Sequence, residues 1–157
     1  KVLADRNDYD AAANFMWSAT VALNGWISPG VPQDWATHGI GHELTAFHGI
    51  DHARTLAIVL PGVMNIKRDE KKAKILQYGE RVWGISEGSE NERVDLAIKK
   101  TADFFEKMGL PTTLSAYGLT NETVDRITNR FRERPYKLGE KRNIDYKVIE
   151  SILNDRF

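Results

Sequence analysis

The sequence predicts an all-α fold, a helical bundle filling residues 1–157 as one domain. Apolar residues recur at three- and four-residue intervals nearly throughout, and no segment sustains period-two alternation. Cap and breaker residues stand where the periodic runs begin and end. The pattern gives about six to eight helices, and 157 residues supply enough chain to bury a core.

The first helix is expected over residues 8–24, with Ala12, Phe15, Met16, Ala19, Ala22 and Leu23 on one stripe, Asp8 as cap and Gly25 as stop. The turn-rich ISPGVP connects it to a second helix over 33–47. Gly39 and Gly41 weaken that helix by about 1 kcal/mol each relative to Ala, a cost accepted where a neighbour or ligand must come close. Gly49 breaks it, and Asp51 is placed to cap a third helix, HARTLAIVLPGVMNI. Its run from Leu56 to Leu60 is almost continuously apolar, so burial on most sides is expected. Pro61 is expected to kink it or end its first part.

The remaining helices are more amphipathic. Residues 69–83 set Ala73, Ile75, Leu76 and Val82 among Lys and Glu. Ser89 and Glu92 form a capping box before ERVDLAIKKTADFFEKM, which Gly109 and Pro111 close. Shorter helices are expected over 121–133 and 144–153.

Composition excludes several function classes. The 22 basic residues equal the 22 acidic ones, and no basic stripe interleaves with aromatics, so a nucleic-acid partner is not expected. There is no cysteine, so disulfides and thiol nucleophiles are excluded and a metal site must use His and carboxylate. No apolar run approaches ~18 residues, so no membrane span is expected, and the composition is compatible with the cytoplasm. The opening KVLADRNDYD has neither an initiator Met nor a signal-peptide core, which suits a piece of a longer protein.

All four histidines, His38, His42, His48 and His52, fall in one stretch, HGIGHELTAFHGIDH. His38 and His42 are four apart and share a helical face. His48 and His52 flank Gly49 and need not share a helix. The segment reads as a metal-linked histidine site with one ligand on each side of the Gly49 break, since imidazole suits iron, zinc, copper or nickel. HELTA begins like the zincin H-E-x-x-H, but Ala46 stands where the second histidine belongs, so Glu43 is not a metalloprotease base by that rule. Asp34, Glu43 and Asp51 are nearby carboxylates, and no spacing selects among them. The residues alone leave the site incomplete, or completed by another part of the protein.

The segment PQDWATHGIGHELTAFHGIDHARTLAIVLP closely resembles the C-terminal helical domain of the iron-containing (group III) alcohol dehydrogenases, whose fold is dehydroquinate synthase-like. It is most similar to the butanol-dehydrogenase-like branch. NDYDAAANFMWSATVALNGWI upstream, and KILQYGERVWGI and KKTADFFEKMGLPTTLSAYGL downstream, fit in order, and the resemblance weakens after residue 120. The family pattern is a His-Gly pair, a second histidine four residues on, and a third ten residues later before a buried helix ending in Leu-Pro; here these are His38, His42, His52, Leu60 and Pro61. The resemblance implies that His38 and His52 bind the catalytic divalent metal, Fe2+ or Zn2+. It places His42 beside the nicotinamide and substrate as a proton-relay or positioning residue, and leaves His48 outside the set. Many family members have Pro before the last histidine and Gly after it, and Pro after the second histidine. This chain has Asp51, Ala53 and Glu43, as the butanol-dehydrogenase-like branch does.

The resemblance further implies two more ligands, an Asp and a His four residues apart, and a Gly-rich dinucleotide loop, all upstream of Lys1. The present residues are then expected to be inactive alone. The implied parent is a homodimeric NAD(P)H-dependent enzyme that moves hydride between nicotinamide and a short-chain alcohol or aldehyde such as butanol or butanal. Gly39 and Gly41 would let the helix approach metal or cofactor, and Trp35 and Phe47 are pocket walls or core residues. Two rival readings are a helical binding or regulatory module with structural histidines, and a His/Asp metal hydrolase. The hydrolase needs a His-Asp pair, whereas Asp51-His52 is reversed and solitary.

Overall fold

The computed structural model describes residues 1–134 and 136–157. Its contacts divide the chain into two compact units, Lys1–Gln33 and Asp34–Phe157.

The first unit contains α1, Tyr9–Leu23. Asp8 caps it as expected, its carboxylate accepting from the Ala11 N–H at 2.9 Å. The apolar stripe is not covered within this unit. No residue of α1 is buried, and Phe15, Met16, Trp17 and Leu23 are all exposed. Trp17 and Trp26 pack edge to face at 6.1 Å.

The second unit holds α2 (Ala36–His48), α3 (His52–Ile66), α4 (Arg68–Trp83), α5 (Glu90–Lys107), α6 (Asn121–Glu133) and α7 (Tyr146–Asn154). Among the described residues there is no strand, only an isolated bridge between Leu138 and Ile144. The second helix starts later than the spacing suggests because the Asp34 carboxylate accepts from the Ala36 N–H at 2.8 Å and fixes the first turn there. It stops at Gly49, whose φ of +65° is the left-handed conformation that closes a helix without a Cβ clash. The Ser89/Glu92 capping box forms in both directions.

Helix α3 is the centre of this unit. It supplies Ile58, Val59 and Val63 to one core with α2, α6 and α7, and Met64 to a second core with α4 and α5. That double duty explains its almost unbroken apolar run. Of the two outcomes expected at Pro61, a kink or an end to the first part of the helix, the second does not occur, since the helix runs on to Ile66. Pro61 and its neighbours Gly62, Val63 and Met64 are all buried, and burial on both sides offsets the ~3 kcal/mol that proline costs a helix interior. Asp51 stands at the N-cap position, but its side chain makes no capping bond and lies 3.6 Å from Arg54 Nε instead.

Glu70, in the first turn of α4, ties that helix to the segment after α6. Its carboxylate accepts from Lys67 Nζ and from Asn143 Nδ2, each at 2.8 Å. The Lys67 bond, then the Asn143 bond, lower its pKa to about 2 from 4.5. The folded state therefore holds this proton more weakly than the unfolded chain. The stabilisation is complete above pH 4.5 and is lost as pH falls toward about 2. Glu70→Gln is expected to lower Tm at pH 7 by on the order of 2 °C. Thermal unfolding followed from pH 7 downward should show the gap to wild type closing between pH 4.5 and about 2.

Candidate metal centre

Helices α2 and α3 bring three of the four histidines together. His38 and His42 leave α2 from adjacent turns of one face, and His52 is the first residue of α3. His38 Nδ1 and His52 Nε2 are 3.0 Å apart. The His42 and His52 ring centroids are 4.5 Å apart, against 6.3 Å between His38 and His42. One ring nitrogen from each residue falls within a 4.8 Å set, with His38 and His52 half-buried and His42 exposed.

The close approach of the two helices makes this possible. A Cβ on Gly41 would lie 2.8 Å from the Thr55 Oγ1 of α3 and 3.5 Å from Leu56. Thr55 is fully buried and β-branched, so it has little room to yield. Gly39 likewise faces protein, since its Cβ would sit 3.0 Å from the Leu138 side chain. Both glycines thus admit neighbouring protein, Gly41 the adjacent helix α3 and Gly39 the Leu138 side chain. Thr55, which no spacing rule picked out, also bonds locally to His52. Its Oγ1 donates to the His52 carbonyl at 2.8 Å and lies 3.5 Å from His52 Nδ1. The one sequence signal for it is an i,i+3 hydroxyl in the first turn after a histidine.

The donor set fits a divalent metal. Two nitrogens each ~2.1 Å from one ion at an angle of ~90–110° stand ~3.0–3.4 Å apart, which matches the His38–His52 spacing. Burial lowers the His38 pKa, and the neighbouring His52 and His42 lower it further. Burial, then His42, lowers that of His52. Both rings are therefore neutral near pH 7 and offer lone pairs.

The other residues singled out lie elsewhere. His48 Nε2 is 3.2 Å from Thr123 Oγ1 on α6, and burial and Arg126 lower its pKa. Glu43 is buried between α2 and α6, its carboxylate accepting from Arg134 at 2.6 Å and lying 3.1 Å from Arg130 Nε. Asp34 pairs with Lys71 at 2.7 Å, and Asp51 points to Arg54. Among the described residues no carboxylate joins the three histidines. Trp35 lies edge-on to His38 at 5.0 Å, beside the cluster. Phe47 packs on the core beneath the Arg126 guanidinium, 3.9 Å from its ring centre.

Against known proteins, the C-terminal model of the Fe-containing alcohol dehydrogenase family matches residues 1–157. The chain belongs to that family. The NADPH-dependent aldehyde reductase YqhD of Escherichia coli is 55% identical over 153 residues, covering 97% of this chain and 40% of that protein. NADH-dependent butanol dehydrogenase A of Clostridium acetobutylicum is 36% identical over 154 residues, covering 96% and 40%. The crystal structure of E. coli K-12 YqhD matches with a TM-score of 0.95 at 53% identity, over 99% of this chain and 40% of that one. That of NADH-dependent butanol dehydrogenase A from Thermotoga maritima matches at 0.88 and 28% identity, over 99% and 41%. The chain thus spans about 40% of the length of these relatives. The all-α fold is that of the alcohol dehydrogenase C-terminal domains, and neither rival reading is favoured.

Gly41→Ala tests the helix contact. The added methyl gains ~1 kcal/mol of helix propensity, but overpacking against Thr55 costs ~1–3 kcal/mol. Net destabilisation is expected in denaturant unfolding, and the penalty should shrink in a Thr55→Ala background, where the clashing hydroxyl is gone.

Proposed function

We propose that this chain is the metal-holding C-terminal part of an NAD(P)-dependent alcohol dehydrogenase or aldehyde reductase acting on short-chain alcohols and aldehydes such as butanol and butanal. The observation that carries the reading is the 3.0 Å approach of His38 Nδ1 to His52 Nε2, with a third imidazole beside them. Family membership and the printed activities of the relatives support it. In this reading His38 and His52 hold Fe2+ or Zn2+, and His42, the exposed member, faces nicotinamide and substrate.

When bound, the metal supplies Lewis acidity toward an aldehyde or alcohol oxygen, and the nicotinamide supplies the hydride chemistry. The chain's own residues do the rest. His38 and His52 stay neutral because burial opposes their charging, so protons compete for them only in acid. His42, ring to ring with His52 at 4.5 Å and open to solvent, is placed to hold or pass a proton at the edge of the cluster. Trp35 covers the His38 side.

The remaining donors and the dinucleotide-binding elements belong to a further N-terminal part in this proposal. The 40% share of the relatives' length supports that, and so does the uncovered apolar surface of α1. A homodimer and a cytoplasmic setting complete the reading; no helix among the described residues is long and apolar enough to cross a membrane.

The test is butanal-dependent NAD(P)H oxidation by the full-length protein with and without a strong chelator, together with metal content. Chelation should abolish turnover. His38→Ala or His52→Ala should remove metal and activity together. His42→Ala should keep the metal and slow turnover by roughly 10²-fold. Full metal occupancy and rate in His38→Ala would refute the ligand assignment, and equal metal loss in His42→Ala would mean that a different pair binds.

A further inference from the structure

We infer that Thr55 is a positioning residue that sets the tautomer and ring orientation of His52. The inference rests on the reading of His52 as a metal ligand.

The hydrogen-bond inventory around Thr55 leads to it. A threonine hydroxyl has one proton and two lone pairs. The proton goes to the His52 carbonyl, with Oγ1 2.8 Å from that oxygen. The same Oγ1 lies 3.5 Å from His52 Nδ1. With its only proton committed, Oγ1 can offer Nδ1 nothing but a lone pair. The contact therefore favours the tautomer with the proton on Nδ1, which leaves Nε2 unprotonated. Nε2 is the nitrogen that faces His38, 3.0 Å from its Nδ1. One buried hydroxyl thus aims the lone pair of His52 into the cluster.

The hydroxyl cannot easily leave this post. Thr55 is 0% exposed, its side chain is branched at Cβ, and the backbone of Gly41 closes the space beside Oγ1. The contact that lets α2 approach α3 therefore also fixes the group that orients the ligand. Partners of this kind on the second nitrogen of a ligating histidine hold the ring and its tautomer, and losing one costs roughly 10–100-fold in metal affinity.

The experiment compares the full-length wild type with Thr55→Val, which keeps the shape and removes the hydroxyl, and with Thr55→Ser, which keeps the hydroxyl. Zn2+ affinity is measured by competition with a chromophoric chelator. The histidine tautomers are read by 15N NMR after the metal has been stripped. Thr55→Val should bind Zn2+ about 10–100-fold more weakly, whereas Thr55→Ser should stay close to wild type. His52 should carry its proton on Nδ1 in wild type and Thr55→Ser, and populate both tautomers in Thr55→Val. Wild-type affinity in Thr55→Val would overturn the inference, as would an equal loss in Thr55→Ser or a wild-type His52 protonated on Nε2. A His52→Ala control separates the two levels. If it binds Zn2+ as tightly as wild type, the ligand assignment itself fails and the inference falls with it. If it loses Zn2+ while Thr55→Val does not, only the role of Thr55 is rejected.

Discussion

The contact between Gly41 and Thr55 governs the geometry of the whole cluster. His38 and His42 are fixed to α2 and His52 to α3, so the distance between the two backbones decides whether the rings meet. A side chain at position 41 would have to occupy space already held by a buried threonine. Helix propensity is given up at Gly41 to bring two helices close, and the return is three imidazoles within reach of one another.

The other faces of the same helices hold that contact in place. Ile40 and Leu44 of α2 are fully buried in the core shared with α3, α6 and α7. Glu43 locks α2 to α6 through Arg134 and Arg130. One oxygen accepts from Arg134 and the other forms only an ion pair with Arg130, so this carboxylate ties helix to helix. On α3, the stretch from Ala57 to Met64, buried except for half-buried Leu60, joins two cores, which makes the helix a stiff platform for the histidine at its N-terminus. The cluster is thus built on rigid helices, with its exposed member, His42, at the open edge.

Local chemistry made most helix limits legible. Asp8 and the Ser89/Glu92 box place their helix starts because a capping bond involves only neighbours in sequence. The same rule misled at Asp51, whose carboxylate turns to Arg54. At Pro61 the helix runs on, because tertiary burial overrides a local breaker. The histidine cluster was visible in the spacing, and the structure brings His38, His42 and His52 together, while the division of roles among them comes from the resemblance alone. What Gly39 and Gly41 face, and what Thr55 touches, depends on residues brought together by folding, and no periodicity encodes that. The exposed stripe of α1 is the reverse case. Its pattern is that of a buried helix face, and nothing within Lys1–Gln33 covers it.

The central claim is that His38 and His52, and not His42, hold one divalent metal. The most direct measurement is an anomalous difference map at the iron absorption edge from crystals of the full-length protein loaded with Fe2+. The account predicts one strong peak at bonding distance, ~2.1 Å, from a ring nitrogen of His38 and of His52, with His42 outside the coordination sphere. A peak bonded to His42 in place of either residue, or iron bound with none of these rings as a ligand, would contradict it.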